Sequence, residues 1–180
     1  MLLKDYIPNI KKKFKKVFFS GISFESAKVK KNNIFFAIKG NKIDGNNFIS
    51  KAIKKGAKII ISEKKIKSFQ NGVIYIQSRN IRKLLAEVSF KIYKKKPENL
   101  IAVTGTNGKS SIADFYYQIL KLNNVKVASI GTLGVKSNNI NQNLSNTTID
   151  PLQLAKILQK LKNQGINNVI MEASSHGLKQ

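Results

Sequence analysis

One segment constrains the fold more than any other: residues 101–111, which read Ile-Ala-Val-Thr-Gly-Thr-Asn-Gly-Lys-Ser-Ser. The apolar residues 100–103 predict a buried parallel strand, and the residues after the segment carry apolar side chains at helical spacing. This helical face consists of Ile112, Phe115, Tyr116 and Ile119. A strand that turns through two glycines into a helix is typical of a phosphate-binding loop. The glycines let backbone N–H groups approach phosphate oxygens, and the helix N-terminus favours anions.

The end of this loop carries the side chains that such a site needs. Lys109 is placed to neutralise the β- and γ-phosphates, and the Ser110 hydroxyl to ligate Mg²⁺. The strict pattern, G-x-x-x-x-G-K-[ST], has glycine where this chain has Val103, but the strand–loop–helix context compensates for that departure. The competing interpretation is a tight turn with an incidental lysine. We interpret the segment as an ATP site formed by Gly105, Thr106, Asn107, Gly108, Lys109, Ser110 and Ser111.

Length and composition limit the number of domains and the kinds of site that the chain can form. A chain of 180 residues suits one large or two small domains and can bury a core. It has no cysteine, which excludes disulfides and thiolate metal sites and fits the cytoplasm, where we expect the protein. No apolar run approaches the roughly 20 residues that span a bilayer, so we expect no membrane insertion.

The chain is strongly basic, with a formal net charge of +24 from 33 Lys and Arg against 9 Asp and Glu. Such a charge suggests a nucleic-acid surface, and a basic P-loop ATPase that binds nucleic acid is the alternative function from a different class. However, the lysines are spread along the whole chain among many Asn and Ile. We therefore favour a composition bias on solvated faces and expect no specific nucleic acid as partner.

The order of predicted elements indicates an α/β fold in two parts. Strands and helices alternate over residues 1–96, which predicts a small α/β N-terminal domain ending in a lysine run before Pro97. Residues 97–180 predict the first βαβαβ part of a P-loop-type parallel-sheet ATP-binding domain, with a polar loop over residues 137–148 and a helix capped by Asp150. Ligands bind beyond the carboxyl ends of the strands in such sheets, so the loops carrying Lys109, Gly131 and Glu172 should converge.

Four polar residues after the phosphate loop are candidates for the site. Glu172 ends an apolar strand, where a carboxylate is expected to hold Mg²⁺ beside a phosphate loop. Thr147 and Thr148 by themselves indicate no more than helix capping. His176 is the single histidine, and its place four residues after Glu172 leaves a site role and a structural role equally open.

The motifs together identify a family. Residues 104–111 resemble the ATP loop of the Mur ligases and folylpolyglutamate synthases. Three further segments, residues 130–134, 146–154 and 171–180, narrow the resemblance to the Mur ligase branch that adds the third peptide residue of peptidoglycan. In the first domain, residues 25–29, 34–40 and 44–45 also follow the family pattern, so the resemblance covers nearly the whole chain. Another Mur or folylpolyglutamate-type ligase is the related alternative.

The resemblance implies a reaction and a role for each matching residue. It implies ATP-driven amide formation: a substrate carboxylate takes the γ-phosphoryl group, and the amine of an amino acid displaces phosphate from the acyl phosphate. The implied partners are UDP-MurNAc-L-Ala-D-Glu and diaminopimelate or lysine, the implied cofactors ATP and Mg²⁺, and the protein is expected to be a monomer. Lys109 and Glu172 are the implied catalytic residues, with Ser110 and Glu172 on the metal. The implied substrate contacts are Phe24, Ser26, Asn41, Lys42 and Ile43 on the UDP sugar, and Asn146, Thr147, Thr148, Ser174 and Gln180 on the dipeptide part.

The chain departs from the family pattern in three respects. Ala27 stands where the family has an arginine near the UDP sugar, and Ser110-Ser111 replaces the commoner Thr-Thr while keeping both hydroxyls. The family's chains are also more than twice as long. We therefore expect an N-terminal fragment that is inactive by itself.

Overall fold

The computed structural model describes residues 1–40, 43–137, 141–142 and 149–173. The chain forms two compact units, residues Met1–Lys91 and Ile92–Gln180. Each unit contains its own five-stranded sheet, so each is described by itself. No helix among the described residues combines the length and apolar character needed to cross a membrane.

The first unit is a mixed sheet with short helices. Its strands are β1 (Gly21–Ser23), β2 (Asn33–Phe36), β3 (Ile59–Ser62), β4 (Phe69–Gln70) and β5 (Val73–Gln77). Its helices are α1 (Leu3–Tyr6), α2 (Ile49–Lys54) and α3 (Ile81–Ile92), with 3-10 turns at Lys12–Phe14, Ser26–Lys28 and Gly45–Phe48. The strand order is β1-β2-β3-β5-β4, in which β4 alone of these five runs antiparallel to its neighbour.

The centre of this sheet is buried on both faces. Every residue of β2 and β3 is buried, as expected for strands inside a parallel sheet. The apolar face of α3 packs inward, with Ile81, Leu84, Leu85 and Val88 buried. Residues 17–24 are rich in residue types that favour strands, but only Gly21–Ser23 pairs with β2.

The second unit confirms the predicted parallel βαβαβ order. Strand β6 (Asn99–Val103) leads through α4 (Lys109–Leu122) to β7 (Val127–Gly131), and α5 (Pro151–Asn163) leads to β10 (Asn168–Glu172). Strand β10 lies between β6 and β7 and is parallel to both. The core below α5 includes Ile130, Leu158, Leu161 and Val169.

Two strands of the second unit were not predicted. Strands β8 (Gly134–Ser137) and β9 (Asn141–Gln142) extend the sheet antiparallel, giving the order β6-β10-β7-β8-β9. The sequence analysis assigned residues 137–148 to a loop, which is wrong for Ser137, Asn141 and Gln142. Their polar side chains and the short strands concealed the alternation that would have marked a hairpin.

The apolar face predicted for α4 does not form the core. Its buried residues are Ala113 and Tyr117, whereas Ile112, Phe115 and Ile119 are 52%, 63% and 59% exposed. Strand β6 is parallel as predicted but not buried, because it lies at the edge of the sheet, where Leu100 and Ile101 are exposed. Periodicity identified one face of the helix, but it could not tell which face the sheet covers.

Helix α5 begins as its sequence predicts. Asp150 stands at the N-cap and its carboxylate accepts a 2.9 Å hydrogen bond from the backbone N–H of Gln153, while Pro151 occupies the first helical turn. The inward stripe of Leu152, Ala155, Leu158 and Leu161 is buried. This packing holds the connection from α5 to β10, the central strand that carries Glu172 at its carboxyl end.

Candidate functional site

The candidate site of the second unit lies at the carboxyl ends of three parallel strands. Strand β10 is aligned with both neighbours, with Glu172 opposite Val103 of β6 and Met171 opposite Ile130 of β7. The turn after β6 therefore lies beside the acid that ends β10 and the turn that follows β7. The topology brings the phosphate loop and Glu172 to one edge, as the sequence predicts.

The turn after β6 has the backbone of an anion-binding loop. Gly108 forms the N-cap of α4 with φ 78°, a left-handed conformation that a residue with a Cβ adopts only at a cost. Residues 104–108 are exposed, and Lys109 begins the helix. The unpaired N–H groups of the first turn of this 14-residue helix therefore point toward the exposed loop, which favours a phosphate there.

The Lys109 side chain folds back over this loop. Its Nζ atom donates to the backbone carbonyl of Gly105 at 2.6 Å and to that of Thr106 at 3.2 Å. Among the described residues no carboxylate forms an ion pair with Lys109. The ammonium charge is thus held above the loop by neutral acceptors, which leaves it available to an anionic ligand.

Glu172 is held by hydroxyl and amide donors from two elements. The Ser110 hydroxyl, in the first turn of α4, donates to Glu172 Oε2 at 3.0 Å. The hydroxyl of Thr132, in the turn after β7, donates to the same oxygen at 3.0 Å, and the Thr132 backbone N–H donates to Glu172 Oε1 at 3.2 Å. The structure thus brings together the two residues predicted to bind a metal and adds a third that was not predicted.

The donor set fits Mg²⁺. Ser110 and Glu172 present adjacent oxygen atoms, and Mg²⁺ is usually held by one or two carboxylates together with hydroxyls, waters and the substrate's phosphates. Within the described part of the chain, no cluster of three or more His, Cys, Asp or Glu side chains offers an all-protein metal site. A cation at Glu172 would therefore take further ligands from water or from a bound anion.

In the first unit, the predicted sugar-nucleotide residues that the structure describes follow neighbouring strands. Phe24 and Ser26 follow β1, and Ile43 lies in the turn after β2, at the same edge of the sheet. Ser26 is buried, Phe24 is half-buried and Ile43 is 62% exposed. Beside Ile43, the Asp44 carboxylate accepts a hydrogen bond from the Asn46 backbone N–H at 2.8 Å, which holds the pKa of Asp44 below its usual value.

Several predicted site residues lie outside the described residues: Asn41, Lys42, Asn146, Thr147, Thr148, Ser174, His176 and Gln180. Their assignments stay predictions.

Sequence reasoning missed the roles of Gly131 and Thr132. Both belong to the segment that carries the family resemblance, but no function was assigned to either. A Cβ atom on Gly131 would lie 2.1 Å from Glu172 Oε1, so the carboxylate can approach only because residue 131 is glycine. The available signal was a small residue and a hydroxyl residue at the carboxyl end of a predicted parallel strand.

Comparison with known proteins places both parts of the chain in one family. The model of the Mur ligase family catalytic domain matches residues 19–103, and the model of the Mur ligase middle domain matches residues 103–180.

Individual relatives agree. The chain is 44% identical over 176 residues to a protein of Rickettsia montanensis named UDP-N-acetylmuramoyl-L-alanyl-D-glutamate–2,6-diaminopimelate ligase, covering 96% of this chain and 36% of that relative. It is 40% identical over 161 residues to the protein of the same name from Brucella melitensis biotype 1, covering 89% of this chain and 33% of that relative. The chain thus spans about a third of the length of these curated relatives.

Solved structures show the same architecture. One described as the structure of a UDP-N-acetylmuramoyl-L-alanyl-D-glutamate–2,6-diaminopimelate ligase superposes with a TM-score of 0.80 at 27% identity, covering 99% of this chain and 37% of that one. A MurF ligase from Thermotoga maritima in complex with ADP shares the fold, with a TM-score of 0.57 at 24% identity over 86% of this chain and 32% of that one. Family models, relatives and fold lead to one conclusion: the chain belongs to the Mur ligase family.

Proposed function

We propose that this chain is the part of an ATP-dependent amide-bond ligase that binds ATP and the sugar-nucleotide substrate. The observation that carries the proposal is the Ser110–Glu172 contact of 3.0 Å, which joins the phosphate loop to a strand-end carboxylate. A loop with this backbone binds phosphates, and a carboxylate beside its serine serves a metal-bound triphosphate.

The proposed reaction explains why the site needs positive charge. A carboxylate of the substrate attacks the γ-phosphorus, the bond to the β-phosphate oxygen breaks, and ADP leaves. The amine of the second substrate then displaces phosphate from the acyl phosphate and loses a proton. Two anions must meet in the first step, so Lys109 is proposed to neutralise charge on the transferring phosphoryl group. Mg²⁺ held by Ser110 and Glu172 would supply further neutralisation.

The substrates are inferred from the relatives. The proteins matched at 44% and 40% identity are named for UDP-N-acetylmuramoyl-L-alanyl-D-glutamate and 2,6-diaminopimelate. We propose the same pair here, which makes the product a tripeptide precursor of peptidoglycan. We further propose that residues 1–96 bind the UDP sugar, with Phe24, Ser26 and residues 41–43 at the contact. Residues 97–180 then bind ATP, with residues 146–148, Ser174 and Gln180 at the dipeptide and with the role of His176 left open. The ATP requirement supports a cytoplasmic location, and we propose a monomer.

Two binding measurements on the 180-residue chain test the proposal. Isothermal titration calorimetry should detect ATP with Mg²⁺ and, independently, UDP-MurNAc-L-Ala-D-Glu, each at one site per chain. AMP, which lacks the β- and γ-phosphates, and UDP-glucose, which lacks the MurNAc-dipeptide, are the matched control ligands and should bind more weakly. A chain that is folded by circular dichroism but binds neither ATP nor the sugar nucleotide would refute the proposal.

The reaction itself is tested in a chimera. In it, this chain replaces the matching 176-residue segment of the Rickettsia montanensis relative. ADP release should require both the sugar nucleotide and diaminopimelate. ADP release without either substrate would indicate an ATPase rather than a ligase.

A further inference from the structure

We propose that Thr132 is a positioning residue that holds the Glu172 carboxylate in the orientation that binds the Mg²⁺ of ATP. The inference rests on the proposed function, because it assigns Glu172 to that metal. It concerns a residue to which neither the sequence pattern nor the comparisons give a role.

The geometry gives Thr132 control over the plane of the carboxylate. Its backbone N–H binds Oε1 at 3.2 Å and its hydroxyl binds Oε2 at 3.0 Å, so one residue contacts both carboxylate oxygens. A glutamate side chain rotates about several bonds, and a single hydrogen bond would leave its terminal torsion free. Two bonds from one rigid turn fix that torsion, and the Ser110 hydroxyl at 3.0 Å from Oε2 then fixes the side that faces the loop.

The turn that carries Thr132 is itself well anchored. Strands β7 and β8 pair antiparallel, with Gly131 opposite Gly134, so Thr132 and Leu133 form a two-residue connection. Strand β7 also pairs with β10 up to Met171, next to Glu172. The sheet therefore sets the distance between donor and acceptor across 40 residues of sequence.

Gly131 makes the close approach possible. A Cβ atom there would lie 2.1 Å from Oε1 and 2.5 Å from the carboxyl carbon of Glu172, distances that no side chain accommodates without moving. The carboxylate thus rests directly on backbone at residue 131 and is bound by residue 132. Gly131 and Thr132 together form the surface against which the Glu172 carboxylate packs and hydrogen-bonds.

The neutral donors around Glu172 leave its negative charge suited to binding a cation. Within the described part of this chain, no Lys or Arg forms an ion pair with Glu172, although the sequence contains 33 such residues. All three groups that hold the carboxylate are neutral donors. An oriented carboxylate without a basic partner is suited to a metal ion, and neutral partners that orient such ligands tune metal affinity.

The test compares two substitutions at residue 132. Thr132→Val keeps the shape and the backbone N–H but removes the hydroxyl, whereas Thr132→Ser keeps the hydroxyl. The measured quantity is the ratio of the ATP dissociation constant in EDTA to that in Mg²⁺, by calorimetry on the 180-residue chain. We expect Thr132→Val to lower this ratio by about tenfold, the lower end of the range for partners that orient metal ligands. Thr132→Ser should stay within about twofold of the unsubstituted chain, and affinity in EDTA should be unchanged in both.

A double-mutant cycle separates positioning from a general effect on the site. Glu172→Gln should abolish most of the Mg²⁺ enhancement, and adding Thr132→Val to it should cause no further loss. Leu133→Ala changes the neighbouring residue of the same turn, whose side chain is 56% exposed, and should leave the ratio unchanged. Gly131→Ala should also lower the ratio, because the Glu172 carboxylate would have to move away from an added Cβ atom.

The outcomes distinguish the two claims. If the unsubstituted chain binds ATP more tightly with Mg²⁺ and Thr132→Val retains that enhancement, the positioning role is refuted and the proposed function stands. If Thr132→Ser loses as much as Thr132→Val, the hydroxyl is not responsible and the inference also fails. If the unsubstituted chain binds ATP without any Mg²⁺ enhancement, both the metal assignment and this inference are wrong.

Discussion

Replacing Lys109 with methionine should weaken ATP binding while leaving the fold intact. Methionine keeps an apolar stem but removes the charge, so the bonds to the carbonyls of Gly105 and Thr106, at 2.6 and 3.2 Å, are lost. Both bonds are exposed to solvent, so the free energy of unfolding should change by less than about 0.5 kcal/mol.

The loss of affinity follows from the contact that Lys109 is proposed to make with phosphate. A hydrogen bond to a charged group contributes about 1.5–3 kcal/mol, which corresponds to roughly 10- to 100-fold in the ATP dissociation constant. In the chimera the loss of turnover should be larger, on the order of 10²-fold or more, because charge develops on the transferring group. Affinity for the sugar nucleotide should be largely kept.

The assay is calorimetric titration of ATP with Mg²⁺ into the 180-residue chain, with thermal denaturation as the check on folding. Lys121→Met is the matched control, since it removes the same charge from the last turn of the same helix, about 18 Å along its axis. Equal losses of ATP affinity in both variants would show that the overall positive field attracts ATP. Unchanged affinity in Lys109→Met would show that the loop is not the phosphate site.

Four further outcomes are expected. Asp150→Ala should destabilise the second unit by about 1 kcal/mol, seen as a melting temperature lower by roughly 4–8 °C, whereas the exposed Lys160→Ala on the same helix should not. The hydrogen bonds from Asn46 lower the pKa of Asp44, so the ionised carboxylate stabilises the folded state. This stabilisation should be complete above the ordinary pKa of about 4 and should be lost as the pH falls through the lowered pKa. Comparing urea midpoints of the unsubstituted chain and Asp44→Ala as the pH is lowered from 7 into the acid range measures this, and a difference that does not shrink with falling pH would contradict it. Filter binding of nucleic acid, driven by the +24 charge, should be weak and disappear near physiological salt, and salt-resistant, sequence-specific binding would favour the nucleic-acid alternative. The 180-residue chain by itself should form no tripeptide from ATP, Mg²⁺, UDP-MurNAc-L-Ala-D-Glu and diaminopimelate, because we assign none of its residues to holding the amine. Sustained ADP release coupled to tripeptide formation would contradict this expectation.

How well a feature of this fold can be predicted from the sequence depends on how far apart in the chain the interacting residues lie. The capping of α5 by Asp150 and the glycine turn that leads into α4 depend on a few adjacent residues, so local chemistry predicts them well. The convergence of Ser110 and Glu172 could be predicted because the carboxyl ends of parallel strands always meet at one edge.

The errors concern information that is not local. The spacing of Ile112, Phe115 and Ile119 defines a helical face, but burial depends on which face meets the sheet, and here it is the face of Ala113 and Tyr117. Likewise, the contact between Thr132 and Glu172 depends on β10 lying beside β7. The order of strands in a sheet is not encoded in any one segment.

The two edge strands of the sheet in the second unit differ in how readily a further strand can pair with them. At one edge β9 is two residues long, and so short an edge strand offers little for another strand to pair with. At the other edge β6 runs for five residues with Leu100 and Ile101 exposed. A further strand can therefore be added to the sheet at β6. A parallel strand added against β6 would end next to Val103 and the glycine turn, so the residues that follow it would enter the proposed ATP site from the side opposite Thr132.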